Sequence, residues 1–303
     1  MTGAPPWDPQ HLPSQRGRTF VVTGGNAGIG YFAAEQLARA GGRVIIACRN
    51  PERARAAQDA IRGQVPGART GFVAFDLTSL AAVRAAALEL AELRHIDAVI
   101  LNASVMSAPR TGETTRDGFP PLIGSYLGNF AFVAHLLGHA DPGRIVHTSS
   151  NYVRGGVDVT DLTAPPGGTM AEYARSKTAI EVFGFELDRR LRAAGRPTGS
   201  IMSRPGMAVD ARTPRRPGIP HKSRWSEPLW GLVGQSKERS AWPAVRAATD
   251  PAARGGDFYG PAHNTSGPPV LVEPLARFAA PDDRLADRLW TQSETLTGVA
   301  LAI

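Results

Sequence analysis

Two side chains set the chemistry open to this sequence. Tyr173 and Lys177 stand four residues apart in Tyr173-Ala-Arg-Ser-Lys177, at the opening of an apolar helical stretch. Residues at that spacing share one helix face, so an ammonium lies beside a phenol. The positive charge favours the ionised phenol and is expected to lower a pKa that starts at about 10 towards the working range. A phenol tuned in this way can give and take a proton. With five tyrosines and three lysines in the chain (Lys177, Lys222 and Lys237, against 31 arginines), a chance Tyr-x-x-x-Lys is expected in about one such sequence in twenty.

The elements that must position this pair can be read outwards from it. A Gly- and Pro-rich stretch, residues 151–172, precedes the helix as a loop, and before it Gly143 to Ser150 forms a buried strand ending in two hydroxyls, Ser149 and Ser150. His147 on that strand is expected to be a buried core residue. At the other end of the chain, Phe20-Val21-Val22 is an apolar run suited to a strand buried on both faces. It leads into Thr23-Gly24-Gly25-Asn26-Ala27-Gly28-Ile29-Gly30 and then a helix. A helix that starts after such a turn aims free N–H groups and its positive dipole end at a diphosphate.

The glycine spacing is Gly24-x-x-x-Gly28-x-Gly30, not the commoner G-x-G-x-x-G. It resembles the Thr-Gly-x-x-x-Gly-x-Gly motif of the short-chain dehydrogenase/reductase family, with Thr23 in the Thr position. Leu101-Asn102-Ala103-Ser104 resembles that family's Asn-Asn-Ala-Gly, with Leu101 and Ser104 as departures. Ser125-Tyr-Leu-Gly-Asn129-Phe130 and the long gap between serine and tyrosine resemble its retinol-dehydrogenase-like branch. The C-terminal part, around Asp257 to Pro261 and Arg284 to Leu296, resembles bacterial members of that branch. In all, the similarity covers about residues 17–300.

The resemblance carries roles with it. Ser150, the second of the pair, is implied as the catalytic serine, with Ser149 as the fallback. The family's active-site Asn falls on Ser125, a shorter side chain that puts the usual proton relay in question. Thr23, Gly24, Asn26, Gly28, Ile29, Gly30, Asn102 and Ala103 are implied cofactor contacts. So are Asp76 with Leu77 at the adenine, Tyr173 and Lys177 at the nicotinamide ribose, and the turn Pro205-Gly206. Asp210 occupies the place of the family's Thr, and an acid near a diphosphate calls for local rearrangement, with Thr213 matching only in a shifted register. The cofactor would deliver hydride to a carbonyl carbon while Tyr173 protonates the oxygen and Ser150 hydrogen-bonds it.

The second strand chooses the nucleotide. It ends in Cys48, Arg49 and Asn50, with no acid before Glu52 to accept from a ribose 2′-hydroxyl. NADP(H) is therefore expected, with Arg49 on the 2′-phosphate. The fold expected is a single-domain α/β Rossmann fold spanning residues 1–303, a doubly wound parallel sheet in the order 3-2-1-4-5-6-7. Residues 1–16 form an N-terminal extension. Residues 207–235, rich in arginine, proline and tryptophan, sit where the family carries its substrate lid.

Bulk properties narrow the setting. A formal charge of +7 comes from arginines spread along the whole chain, without a basic run interleaved with aromatics, so nucleic acid is not the expected partner. There is no apolar run of eighteen residues and no secretion signal, and Cys48 is the single cysteine. No membrane span and no metal cluster are expected. The chain reads as a cytoplasmic, NADP(H)-dependent oxidoreductase of small carbonyls or alcohols in biosynthetic or specialised metabolism, and the family resemblance implies homo-oligomers. The competing reading is a nucleotide-binding protein with weakened or non-redox activity, motivated by Ser104, Ser125 and Asp210.

Overall fold

The computed structural model describes residues 7–9, 11–104, 113–153, 157–165, 167–221, 234–279, 283–301 and 303. Its centre is strand β1 (Thr19–Thr23), which pairs in parallel with β2 (Arg43–Cys48) on one side and β4 (Ala98–Leu101) on the other. Phe20 and Val22 pack into one apolar layer and Val21 into the other, as a strand covered on both faces requires. β3 (Thr70–Ala74) extends the sheet beyond β2, while β5 (Arg144–Thr148), β6 (Gly199–Ser203) and β9 (Phe258–Pro261) extend it beyond β4, all parallel.

This is the expected seven-strand order. One strand is added to it: β10 (Pro269–Leu271) pairs antiparallel with β9 and closes that edge. A small parallel pair, β7 (Ala208–Val209) with β8 (Gln235–Ser236), stands apart from the main sheet.

Helices cover both faces. On one lie α1 (Gly28–Arg39), α2 (Pro51–Gln64) and, after the short α6 (Lys237–Ser240), α7 (Trp242–Thr249). On the other lie α3 (Leu80–Ala91), α4 (Pro121–Leu137), α5 (Thr169–Ala193), the short α8 (Ala276–Ala279) and α9 (Asp283–Thr297). Local chemistry sets the starts: Asn50 caps α2 by accepting from the Arg53 N–H at 2.9 Å with Pro51 as first helical residue, and Ser79 caps α3. α5 begins four residues before Tyr173, earlier than the sequence indicates. Glu172 in its first turn reaches across to accept from the Leu122 N–H at 2.9 Å, satisfying the start of α4.

Among its described residues, the N-terminal extension packs against the rest of the molecule through Trp7. Trp7 donates to the Thr249 hydroxyl at 3.2 Å, and the Arg246 guanidinium lies 5.7 Å from its ring centre. Within 207–235, residues 222–233, including Lys222, Arg224, Trp225 and Trp230, lie outside the described residues. The preceding arginines hold the fold itself. Arg216 is bidentate on Glu35 of α1, at 2.7 and 3.0 Å, and Arg212 donates to the Gly234 carbonyl at 3.2 Å. Among the described residues, no helix is long and apolar enough to cross a membrane.

Candidate active site

The C-terminal ends of the parallel strands meet at a cleft of about 420 Å³, on the side of β1 where the chain order reverses. Gly24, Asn26, Arg49, Asp76, Leu77, Ala103 and Ser104 all line it, so residues from the ends of four strands come together. Gly24 has φ +67°, and Gly30 is packed so closely that a Cβ there would lie 2.5 Å from both Asn102 Nδ2 and the Gly24 carbonyl oxygen. Thr23 ties the turn to β4: its Oγ1 accepts from the N–H groups of Asn102 (3.0 Å) and Ala103 (2.9 Å). Asn102 Nδ2 returns a bond to the Thr23 carbonyl at 3.2 Å. These residues shape the turn more than they line its opening.

Helix α1 starts at Gly28 with Ala27 at its cap. No side chain caps it, there is no acid in its first turn, and space is open where a Gly28 Cβ would project. Its first N–H groups have no side-chain cap, Gly28 lies beside Asp210 and Lys237, and Ile29 packs into the helix layer. Asp76 keeps its Oδ1 on the Thr78 N–H (3.0 Å) and hydroxyl (2.7 Å). Arg49 is exposed at the rim, together with Arg53. The donor set fits a dinucleotide.

Asp210 is accommodated by pairing. It forms an ion pair with Lys237, beside Gly28 at the start of α1, so the acid near the diphosphate position is neutralised. The Thr213 hydroxyl donates to the Val209 carbonyl (2.6 Å) and accepts from the Lys237 N–H (2.9 Å). Pro205-Gly206 turns against the loop at Thr265, where Gly206 has φ +73° and a Cβ would lie 2.5 Å from the Thr265 oxygen.

Next to the cleft, α5 brings Tyr173 and Lys177 under the end of β5. The Ser150 hydroxyl accepts from the Tyr152 N–H at 3.3 Å and stands beside the Tyr173 phenol, whereas Ser149 turns away and donates to the buried carboxylate of Glu181. The structure thus separates the two serines that the sequence leaves open. Lys177 Nζ lies 5.8 Å from the Tyr173 ring centre and donates to the Thr148 carbonyl at 2.9 Å. Burial holds this ammonium down to about 8, with Glu181 pulling it back up.

The expected lowering of the phenol does not prevail. Burial pushes Tyr173 above its ordinary value, the neighbouring Ser150 hydroxyl opposes that, and the nearby Tyr152 adds to it. Desolvation of an anion outweighs the charge of an ammonium that is turned towards a carbonyl. Tyr152, 59 % exposed, stands edge-on to Tyr173 with ring centres 5.8 Å apart.

Ser125 is buried, and its hydroxyl donates to the Pro121 carbonyl at 2.9 Å, one turn back in α4. Asn129 donates to the Ser125 carbonyl at 2.8 Å. His147 is a core residue as expected, 3.0 Å from the Ser200 hydroxyl and held neutral because burial lowers it to about 3.

Two residues of the site were not singled out from sequence. Glu181 continues the four-residue spacing from Tyr173 through Lys177 on one face of α5, which is a local signal. Lys237 meets Asp210 only through the fold.

Comparison with known proteins agrees with this geometry. A family model described as short chain dehydrogenase matches residues 18–195. The chain is 34% identical over 300 residues to retinol dehydrogenase 13 of Mus musculus, covering 94% of this chain and 85% of that protein. It is 35% identical over 303 residues to polyprenol dehydrogenase of the same species, covering 96% and 87%. Among solved structures, an uncharacterised protein from Mycobacterium paratuberculosis superposes with a TM-score of 0.78 at 30% identity, covering 98% of this chain and 99% of that one. The glycine turn, the cleft and the Ser-Tyr-Lys cluster thus sit in a frame shared along the whole chain, which belongs to the short-chain dehydrogenase/reductase family of oxidoreductases and has retinol-dehydrogenase-like relatives.

Proposed function

We propose that the protein is an NADP(H)-dependent oxidoreductase that interconverts a carbonyl and an alcohol by hydride transfer. The observation that carries this is the placing of Ser150 beside the Tyr173 phenol, one helical turn from Lys177, together with a cleft whose rim holds Arg49 and no carboxylate at the end of β2. A bound nicotinamide supplies or accepts the hydride. Ser150 then orients the substrate oxygen, and Tyr173, protonated at neutral pH because burial raises it, donates the proton during reduction. Lys177, fixed by Thr148, presents its remaining N–H donors towards the ribose of the cofactor.

Arg49 favours the 2′-phosphate because a guanidinium pairs with it through charge-assisted hydrogen bonds. The uncapped start of α1 takes the diphosphate. The rest of the proposal is family analogy: a small-molecule substrate selected by the 207–235 segment, a cytoplasmic setting in biosynthetic or specialised metabolism, and homo-oligomers.

A nucleotide-binding role without redox turnover is the second reading, favoured by the hydroxyl of Ser125 donating to Pro121. NADPH oxidation over a panel of ketones and aldehydes separates the two. Wild-type turnover that falls by about 10²–10⁴-fold in Tyr173→Phe supports the oxidoreductase. Equal residual rates in both proteins, with nucleotide still bound, would favour the second reading.

A further inference from the structure

Glu181 is a buried ionisable group that the proposed chemistry leaves without a role. It lies one helical turn beyond Lys177 on α5, 3 % exposed, and its carboxylate accepts the hydroxyl proton of Ser149. The oxygen of that hydroxyl accepts the backbone N–H of Ser150 at 2.5 Å. The Ser150 side chain in turn stands beside the Tyr173 phenol. One unbroken run of contacts therefore leads from the Glu181 carboxylate to the two groups that face the substrate oxygen.

A carboxylate kept from water needs donors and countercharge. Here Ser149 donates from the end of β5, Lys177 lies on the same helix, and Arg204 stands just past β6. Burial nevertheless pushes Glu181 up to about 7, so its charge changes across neutral pH. An ionised acceptor holds a hydroxyl more strongly than a neutral one. The Ser149 contact, and with it the Ser150 amide, must feel the change.

We propose that Glu181 is a positioning residue: through Ser149 it fixes the backbone that carries Ser150, and so sets how the Ser150 hydroxyl and the Tyr173 phenol meet the substrate oxygen. Its kinetic consequence rests on the oxidoreductase reading. The contact itself does not.

The test uses the full chain with 15N-labelled serine. The Ser150 amide resonance, identified by its loss in Ser150→Ala, is expected to move with a midpoint near pH 7 in the wild type and to stay still in Glu181→Gln. A Ser150 amide that titrates equally in Glu181→Gln overturns the proposal. In turnover, Glu181→Ala should lower kcat by about tenfold and leave the KM for NADPH within about twofold, since misplacement at the reacting atoms affects the chemical step. Glu181→Gln, whose amide oxygen still accepts from Ser149, should recover most of that loss.

The double variant Ser149→Ala with Glu181→Ala should be no slower than either single one, because both break the same link. An unchanged kcat in Glu181→Ala, or fully additive losses, also overturns it. Should the wild type consume no NADPH while the Ser150 amide still follows Glu181, the redox reading falls and the positioning contact stands.

Discussion

Lys177 donates to the carbonyl oxygen of Thr148 at 2.9 Å, so the middle of α5 is pinned to the last residue of β5, just before Ser149 and Ser150 leave the sheet. The ammonium is thereby held in place before any cofactor arrives. Such preorganisation removes the need to order a long flexible side chain during binding.

The first prediction concerns pH. Burial brings Lys177 down to about 8, so the ammonium loses its charge in the mildly alkaline range. The rate of carbonyl reduction should fall above about pH 8. Lys177→Arg cannot deprotonate there, so any activity it keeps should not show that limb. Profiles of kcat/KM against pH for both proteins check this, and an identical alkaline limb in Lys177→Arg would assign it to another group.

Arg49 should decide between the two nicotinamide cofactors. Removing a charge-assisted contact worth about 1.5–3 kcal/mol corresponds to a loss of roughly 10–100-fold in affinity. Arg49→Glu is therefore expected to raise the Kd for NADPH by that factor while NADH binding holds steady or improves. Fluorescence titration with both nucleotides measures it. Equal losses for the two would place Arg49 away from the 2′-position.

Lys237 should matter through Asp210. Lys237→Met leaves a carboxylate uncompensated beside the start of α1, where a diphosphate must approach. Destabilisation of about 1–3 kcal/mol is expected for this partly buried pair, together with weaker nucleotide binding. Asp210→Asn combined with Lys237→Met should restore much of the loss. Urea unfolding and nucleotide titration of the three variants test this; a double variant as impaired as Lys237→Met would show that the lysine acts on its own account.

Glu181 should leave a trace in stability. Its carboxyl is raised from an ordinary 4.5 to about 7 in the folded chain, so between these values the folded state holds a proton that the unfolded state has lost. The stability this contributes is complete below about pH 4.5 and disappears as pH rises through about 7. Glu181→Gln lacks this dependence, so its stability relative to wild type should climb across that window and then level off. Urea midpoints over the same pH range give the answer, and a constant difference would mean that the carboxyl is already ionised at the lower end.

Much of the frame could be read from the sequence because its causes are local. Phe20-Val21-Val22 before a glycine turn, Pro51 after an Asn cap, and the apolar stretches at 98–101 and 144–148 each specify their element within a few residues. β10 could not be read that way. It is three residues long, starts with proline and is defined only by its partner β9. The different surroundings of Ser149 and Ser150 are hidden for the same reason, since two adjacent hydroxyls are chemically alike until a carboxylate 32 residues later claims one of them. Likewise Asp210 reads as a misfit until Lys237, 27 residues on, is brought to it. For Tyr173 the spacing indicates the neighbour correctly, but not the solvent exclusion that governs its proton.

Trp7 rests on Thr249, the last residue of a helix that runs back from the strand tips towards their beginnings. The described start of the chain is thus stitched to a helix whose residues do not line the cleft. A Trp7→Ala change would loosen that seam and leave the residues that line the cleft untouched.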